Sequence, residues 1–429
     1  LSLHDALPIF SKSVQKKDHE SKVSGRALYV DDLVIEGMIY GRLLHSTKAK
    51  ARITNINLPK LPMGYYVVDK SDVTGVNRVH IVLDDTPVYA EDFVEYVGDA
   101  ILMVVGPEFK EVERILNEIV VVYEELVPVL DMLKSDTVFF DYNFEKGNID
   151  KTLIEADYVI VETFQTGYQE QAYLETQGMI AYPHEGRMTV RGSLQCPYYI
   201  KGAVTKALGY EEKDVQIIHD VTGGGFGGKE AFPSILACQI AVAAKKANKP
   251  VKVIFDRRED MEFTSKRHPS ISTYKVAIKD GEITGMDINV TFNAGAYTTL
   301  SAVVLQRGLI CANGVYRLDN LRVKGRAMKT NTVPCGAYRG FGAPQTFFAV
   351  ETIMNHIAKK MGIDSLVLKE KYIVKQGDST STNGKYHFHV PLPEMITRLD
   401  VITDYRAKRE LYKNQNGRSE ERRVGKECG

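Results

Sequence analysis

Gly223-Gly224-Gly225-Phe226-Gly227-Gly228-Lys229-Glu230 follows an apolar run at Val215–His219 and precedes a long apolar stretch ending at Ala247, so the pattern predicts strand, glycine loop and helix. Five of the six residues from 223 to 228 are glycine. Such a backbone reaches positive φ without steric cost and leaves its N–H groups open to a closely approaching anionic or oxo-rich ligand. The rival is a nucleotide-binding dehydrogenase using the same loop. Gly223, Gly225 and Gly228 satisfy G-x-G-x-x-G, and Asp256 ends the next predicted strand as a ribose-binding acid would. Gly223–Lys229 also approaches a phosphate loop, but Glu230 stands where Ser or Thr should hold magnesium.

Working outward from the loop, the region 154–416 alternates predicted strands with helices. Strands are expected at Val159–Gln165, Gly178–Tyr182, Met188–Gly192, Val251–Phe255, Ser272–Ile278 and Met286–Phe292, with helices at Pro197–Leu208, about Glu230–Ala247, Ala343–Met361 and Leu366–Tyr372. Gly209 and Gly362 stand where helix C-terminal glycines belong. Before it, residues 20–133 read as a small mixed unit. Its strands are expected at Met38–Leu44, Ala51–Leu58, Val79–Leu83, Ala100–Val105 and Ile119–Tyr123, and a helix at Pro107–Asn117. Residues 134–153, polar and turn-rich, are expected to form a linker.

Bulk properties exclude several functions. Lys plus Arg equals Asp plus Glu at 55 each, so no net field draws the chain to nucleic acid or to an anionic membrane. The longest apolar runs are too short to span a bilayer. Cys196, Cys238, Cys311, Cys335 and Cys428 form no C-x-x-C pair, which argues against an iron–sulfur or zinc site on this chain and suits a reducing cytoplasm. Leu1–Phe10 and Arg418–Gly429 resemble translated sequencing adapters and are set aside as artefacts, so the native frame is expected to continue past Asn416.

Four motifs in order decide between the rivals. QEQAYLETQ at Gln169–Gln177, SLQCPYY at Ser193–Tyr199, GGGFGGKE at Gly223–Glu230 and AYRGFGAPQ at Ala337–Gln345 are similar to motifs of the xanthine dehydrogenase and aldehyde oxidase family. GRALYVDDL at Gly25–Leu33 and YVGDAILMVVG at Tyr96–Gly106 resemble that family's hammerhead-like domain. The resemblance implies an α+β fold: a small hammerhead-like α/β domain followed by a larger mixed α/β domain that binds a molybdenum–pterin cofactor (molybdopterin).

By the same resemblance Gln195 would hydrogen-bond an oxygen ligand of the metal, Gly225, Phe226 and Gly227 would lie against the metal's ligands, and Arg339 would sit at the cofactor. Gln195, Phe226 and Arg339 would thus surround the ligands of molybdenum without binding the metal directly. Glu230, Arg307 and Phe341 would hold the substrate, a purine such as xanthine or hypoxanthine. A carboxylate and a guanidinium at opposite edges of a flat ring, with an aromatic face between, suit a ring rich in N and O. Glu230 stands where aldehyde-oxidising members carry an apolar residue, and aldehyde oxidation is the alternative activity. Before Arg307, Gln306 replaces the acid the family pattern would have.

The implied reaction is a base-assisted hydroxylation in purine catabolism, with oxygen drawn from water. The family's base is a glutamate in a glycine-rich loop, absent between Gln345 and Asn416, so it is expected beyond this chain and the fragment is expected to be inactive alone. Electrons would leave through iron–sulfur clusters and FAD on partner subunits or a missing segment, in an enzyme that assembles as a dimer. Tyr173 and Glu175 carry no assignable chemistry and read as parts of a buried polar network.

Overall fold

Ile39, Gly41 and Leu43 are buried in alternation along β1 (Ile39–His45), the period-two signature of a half-buried strand. The computed structural model to which this strand belongs describes residues 13–416, so Leu1–Phe10 and Arg418–Gly429 lie outside the described residues. In chain order a short helix α1 (His19–Val23) precedes β1, followed by β2 (Ala51–Asn57), β3 (Tyr66–Val68), β4 (Phe93–Val94), β5 (Ala100–Gly106), α2 (Phe109–Glu118) and β6 (Val120–Glu125). Next come β7 (Val138–Lys146), α3 (Ile149–Ile154), β8 (Tyr158–Thr166), β9 (Gly178–His184), β10 (Arg187–Gly192), α4 (Pro197–Leu208), β11 (Val215–His219), α5 (Phe232–Ala247), β12 (Val251–Ile254) and α6 (Arg257–Phe263). The chain closes with β13 (Ser270–Lys279), β14 (Glu282–Gly295), α7 (Ser301–Ile310), β15 (Leu321–Lys329), α8 (Ala343–Met361), α9 (Ser365–Tyr372), α10 (Leu392–Thr403) and α11 (Tyr405–Asn416).

Three sheets organise these elements. β4-β2-β6 is a small antiparallel sheet, and β7-β15-β14-β13-β8 is a five-stranded one. The third runs β11-β10-β9-β12-β1-β5-β3 and draws strands from both sequence regions. Its join is a short parallel pairing, Ile39 opposite Val251 and Tyr40 opposite Lys252. Helix α5 is apolar on nearly every side and buried along almost its whole length, as expected of a helix enclosed by other elements. Pro197 starts α4 and Gly209, at φ +67°, ends it, so both boundaries follow from residues that stop or start a helix by their own geometry.

Two sequence expectations fail, and two elements go unforeseen. The linker at 134–153 instead supplies β7 and most of α3; β7 pairs along its length with β15, so its alternating Phe140, Tyr142 and Phe144, with Phe139 at a register shift, are strand residues packed against the core. Val79–Leu83 forms no strand: Val79 and Ile81 are buried in a bend that Val79 N closes by donating to Thr86 O, so burial rather than pairing explains the apolar residues. β15 and α7 lie outside the expected elements, since charged residues interrupt the first and Gln306-Arg307-Gly308 the second.

The topology places the loops. β10 and β11 run parallel, Met188 opposite Val215 through Gly192 opposite His219, so their C-terminal ends emerge side by side. Gln195 follows one end and the glycine run 223–228 follows the other. The 337–342 loop approaches from the second sheet, between β15 and α8.

Candidate functional site

The Gln195 side chain is held by the loop it faces. Its Oε1 accepts from Gly227 N at 3.0 Å and Lys229 N at 3.3 Å, and the Gln195 backbone N–H donates to Lys229 O at 2.8 Å. Two N–H donors fix which amide atom is the oxygen, and Nε2 then points elsewhere; among the described residues it has no hydrogen-bond partner. Gln195 is exposed, so this donor is open to a ligand.

The two glycine loops meet directly. Arg339 N donates to Phe226 O at 2.9 Å, and Gln171 Nε2 donates to Ala337 O at 2.9 Å. Gly227 has φ +97°, and a Cβ there would lie 2.8 Å from the backbone C and O of Ala337. Gly225 is equally restricted, a Cβ meeting Gln195 Oε1 at 2.5 Å. Phe226 at φ +50° and Phe341 at φ +53° occupy the left-handed region that side chains usually avoid, a local strain that clusters at ligand sites. Phe226 and Arg339 are exposed, and Arg339 makes no ion pair among the described residues. Gln195, Gly225, Phe226, Gly227 and Arg339 are thus brought together.

Beneath the first loop lies a buried network, which gives Tyr173 and Glu175 their place. Glu175 Oε2 accepts from Gly223 N at 2.6 Å, Ser193 Oγ at 2.6 Å and Lys229 Nζ at 3.0 Å. Lys229 is completely buried; burial lowers its pKa and the Glu175 carboxylate opposes that effect. Tyr173 donates to Asp260 Oδ1 at 2.8 Å, and Gln177 Nε2 donates both to Tyr173 Oη and to Gly228 O at 2.8 Å. This network removes the nucleotide reading. The lysine that a phosphate loop would offer is sealed against Glu175, and Asp256 caps α6 through Glu259 N while pairing with Arg42 at 2.5 Å.

Glu230 is half-buried and pairs with no cation among the described residues. Burial raises its pKa, and its charge adds to burial in raising those of Cys196, which precedes α4, and Tyr199 in its first turn. Arg307 is exposed on α7, apart from Glu230 in the hydrogen-bond and ion-pair networks, but its helix turn supports the second loop: a Cβ on Gly342 would meet Val304 O at 2.2 Å and Gly308 N at 3.0 Å. Phe341 is partly buried against the main core. Sequence reading missed Arg267, whose Nη2 donates to Arg339 O at 2.9 Å and whose guanidinium stacks 3.8 Å from the Tyr338 ring centre. An arginine in Lys266-Arg267-His268-Pro269 carries no periodic or motif signal to reveal it.

Comparison with known proteins identifies both regions of the chain. Residues 132–373 match the family described as molybdopterin cofactor-binding domain, and residues 24–127 match the aldehyde oxidase and xanthine dehydrogenase a/b hammerhead domain. The chain is 33% identical to a probable xanthine dehydrogenase subunit from Bacillus subtilis, over 85% of this chain and 51% of that protein. It is 32% identical to the nicotinate dehydrogenase large molybdopterin subunit of Eubacterium barkeri, over 84% of this chain and 88% of that one. Among solved structures, aldehyde oxidoreductase from Desulfovibrio gigas superposes with a TM-score of 0.82 at 25% identity, over 91% of this chain and 46% of that chain. The chain thus spans about half the length of the Bacillus relative and of the aldehyde oxidoreductase chain.

Proposed function

Since this chain belongs to the xanthine dehydrogenase and aldehyde oxidase family and carries its molybdopterin-binding domain, we propose that it serves a hydroxylase acting on a purine. The observation that carries this reading is the open donor set where the two glycine loops meet. The unpartnered Gln195 Nε2, the unpaired Arg339 guanidinium and glycine backbone that leaves no room for a Cβ suit a bulky, oxygen-rich anionic group. Gln195, Gly225, Phe226, Gly227 and Arg339 would hold the molybdenum–pterin cofactor. When bound, that group supplies two-electron oxidation with oxygen drawn from water.

The chain's own residues orient the partners of that chemistry. Gln195 can donate to an oxygen of the cofactor while Gly227 and Lys229 keep its amide from rotating. Glu230, half-buried with a raised pKa, can accept from a ring N–H when ionised or donate to a ring nitrogen when protonated. Phe341 would face the ring and Arg307 its far edge, where charge develops during oxidation. Electrons would pass to iron–sulfur clusters and FAD on partner subunits or other segments, in a dimeric cytoplasmic enzyme; among the described residues no group of three or more His, Cys, Asp or Glu could hold a metal ion, and no helix is long and apolar enough to cross a membrane.

The Eubacterium relative, matched over 88% of its length, favours a second reading in which the ring is a pyridine carboxylate and Arg307 takes its carboxylate. An aldehyde substrate is the third possibility, and Glu230→Val in the whole enzyme separates them. Loss of a charged hydrogen bond strengthened in the transition state lowers kcat/KM by about 30-fold to 1,000-fold, or about 2–4 kcal/mol. That loss is expected for xanthine, with turnover of benzaldehyde kept or increased. Nicotinate turnover that exceeds xanthine turnover and collapses in Arg307→Met would favour the second reading. An equal fall for xanthine and benzaldehyde would make Glu230 structural.

A further inference from the structure

Four cations are buried among the described residues: Lys229, Lys252, Lys266 and Arg267. Three of them have a carboxylate close by. Lys229 lies 3.0 Å from Glu175, Lys252 3.4 Å from Asp31, and Lys266 2.5 Å from Glu170. Arg267, only 6% exposed, forms no ion pair with any described carboxylate, and its Nε and Nη1 are buried without hydrogen-bond partners. An arginine cannot shed its proton to escape this situation, as a buried lysine or histidine can. A buried charge without a counter-ion is costly unless something else balances it.

Arg267 is also placed where balance could come from a ligand. Nη2 holds Arg339 O, the Tyr338 ring covers one face, and the same Arg339 peptide donates to Phe226 O. Its charge therefore stands directly behind the peptides that join the two glycine loops. We propose that Arg267 is a positioning residue whose charge is balanced by the anionic cofactor bound at those loops, so that cofactor retention and the Arg267 charge are coupled. This rests on the cofactor reading above. By linkage, a group that binds the charged form more strongly stabilises the protein more when Arg267 is intact, and the cofactor-free protein carries the cost of the unbalanced charge.

The test uses the whole protein, prepared with its pterin cofactor and, from cells unable to make the pterin, without it. Tm is measured for both forms, and pterin and molybdenum are quantified over time after gel filtration. Arg267→Met should leave the cofactor-free Tm equal to or above that of the wild type, reduce the Tm gained on cofactor binding, and speed pterin loss roughly tenfold or more. Arg267→Lys loses the planar fork but carries an ammonium that a bound anionic cofactor holds protonated, and it should retain pterin within about threefold of the wild type. Equal falls in Tm for both forms of Arg267→Met, its failure to fold without cofactor, unchanged pterin retention, or equal pterin loss in both variants would each overturn the proposal. Wild-type protein that holds no pterin would instead defeat the cofactor reading.

Discussion

The two glycine loops offer similar backbone to the same space, yet they are braced by opposite means. Under the first, Lys229 and Glu175 neutralise each other, with Ser193 and Gly223 N as the further partners of Glu175 Oε2. Under the second, Arg267 holds Arg339 O with no described carboxylate to meet its charge. The charge of the first brace is balanced within the chain, whereas that of the second is left in balance with whatever binds. A site built this way has one half shaped by folding and one half whose stability responds to occupancy.

The sharpest way to break this comparison is Lys229→Met. Removing one partner of a buried pair leaves the other uncompensated, and the expected loss is about 3–5 kcal/mol. It should fall equally on cofactor-bound and cofactor-free protein, unlike the effect expected at Arg267. Denaturant unfolding of both forms measures it, and a loss confined to one form would erase the distinction between the loops.

Asp99 sharpens the comparison from another side, because it too is buried without a cation but can give up its charge. Its Oδ2 accepts from Glu95 N at 3.0 Å and from Tyr297 Oη at 2.8 Å, linking the small first region to the loop after β14. Burial raises its pKa from 3.8 to about 7. The folded state therefore binds more protons than the unfolded state between these values. Stability from this group is fully present below pH 3.8, declines as pH rises, and is lost above about pH 7. Asp99→Asn should abolish that decline, which is on the order of 4 kcal/mol. Unfolding curves from pH 4 to pH 8 check this; parallel curves for wild type and variant would show that Asp99 does not titrate in the fold.

A smaller effect is expected at the meeting point itself. Gly227→Ala places a Cβ against the Ala337 backbone at a φ of +97°, and such strained backbone costs about 1–3 kcal/mol before any displacement of the loops. Gly186→Ala, at φ +76° in the open β9–β10 turn with nothing within 4 Å, should cost only about 1 kcal/mol. Faster pterin loss is expected from the first variant alone. Identical behaviour of the pair would mean that close approach of the loops has no role in holding the cofactor.

Much of the fold is legible in the sequence because its signals are local. Pro197 and Gly209 bound α4, Gly362 ends α8 at φ +71°, and period-two alternation locates β1, β8 and β13 within a residue or two. The motif residues Gln195, Phe226, Gly227 and Arg339 are likewise visible as short patterns, and the structure brings them together. Less is legible where neighbours come from afar. β7 reads as a linker because its polar, turn-rich flanks outweigh four aromatics whose meaning depends on β15, 183 positions on from Val138 to Leu321.

The sequence by itself determined where α2, α4, α5, α8 and α9 run, which loops can approach a ligand, and which family the motifs resemble, because handedness, periodicity and glycine's missing side chain act within a few residues. Only the tertiary structure decided that β1 joins β12 in one sheet, that Asp256 serves a helix cap and Arg42, and that Lys229 is balanced while Arg267 is not. Strand pairing and charge balance depend on distance in space rather than along the chain: Glu175 and Lys229 are 54 residues apart and touch, while Arg267 meets the Arg339 peptide across 72 residues.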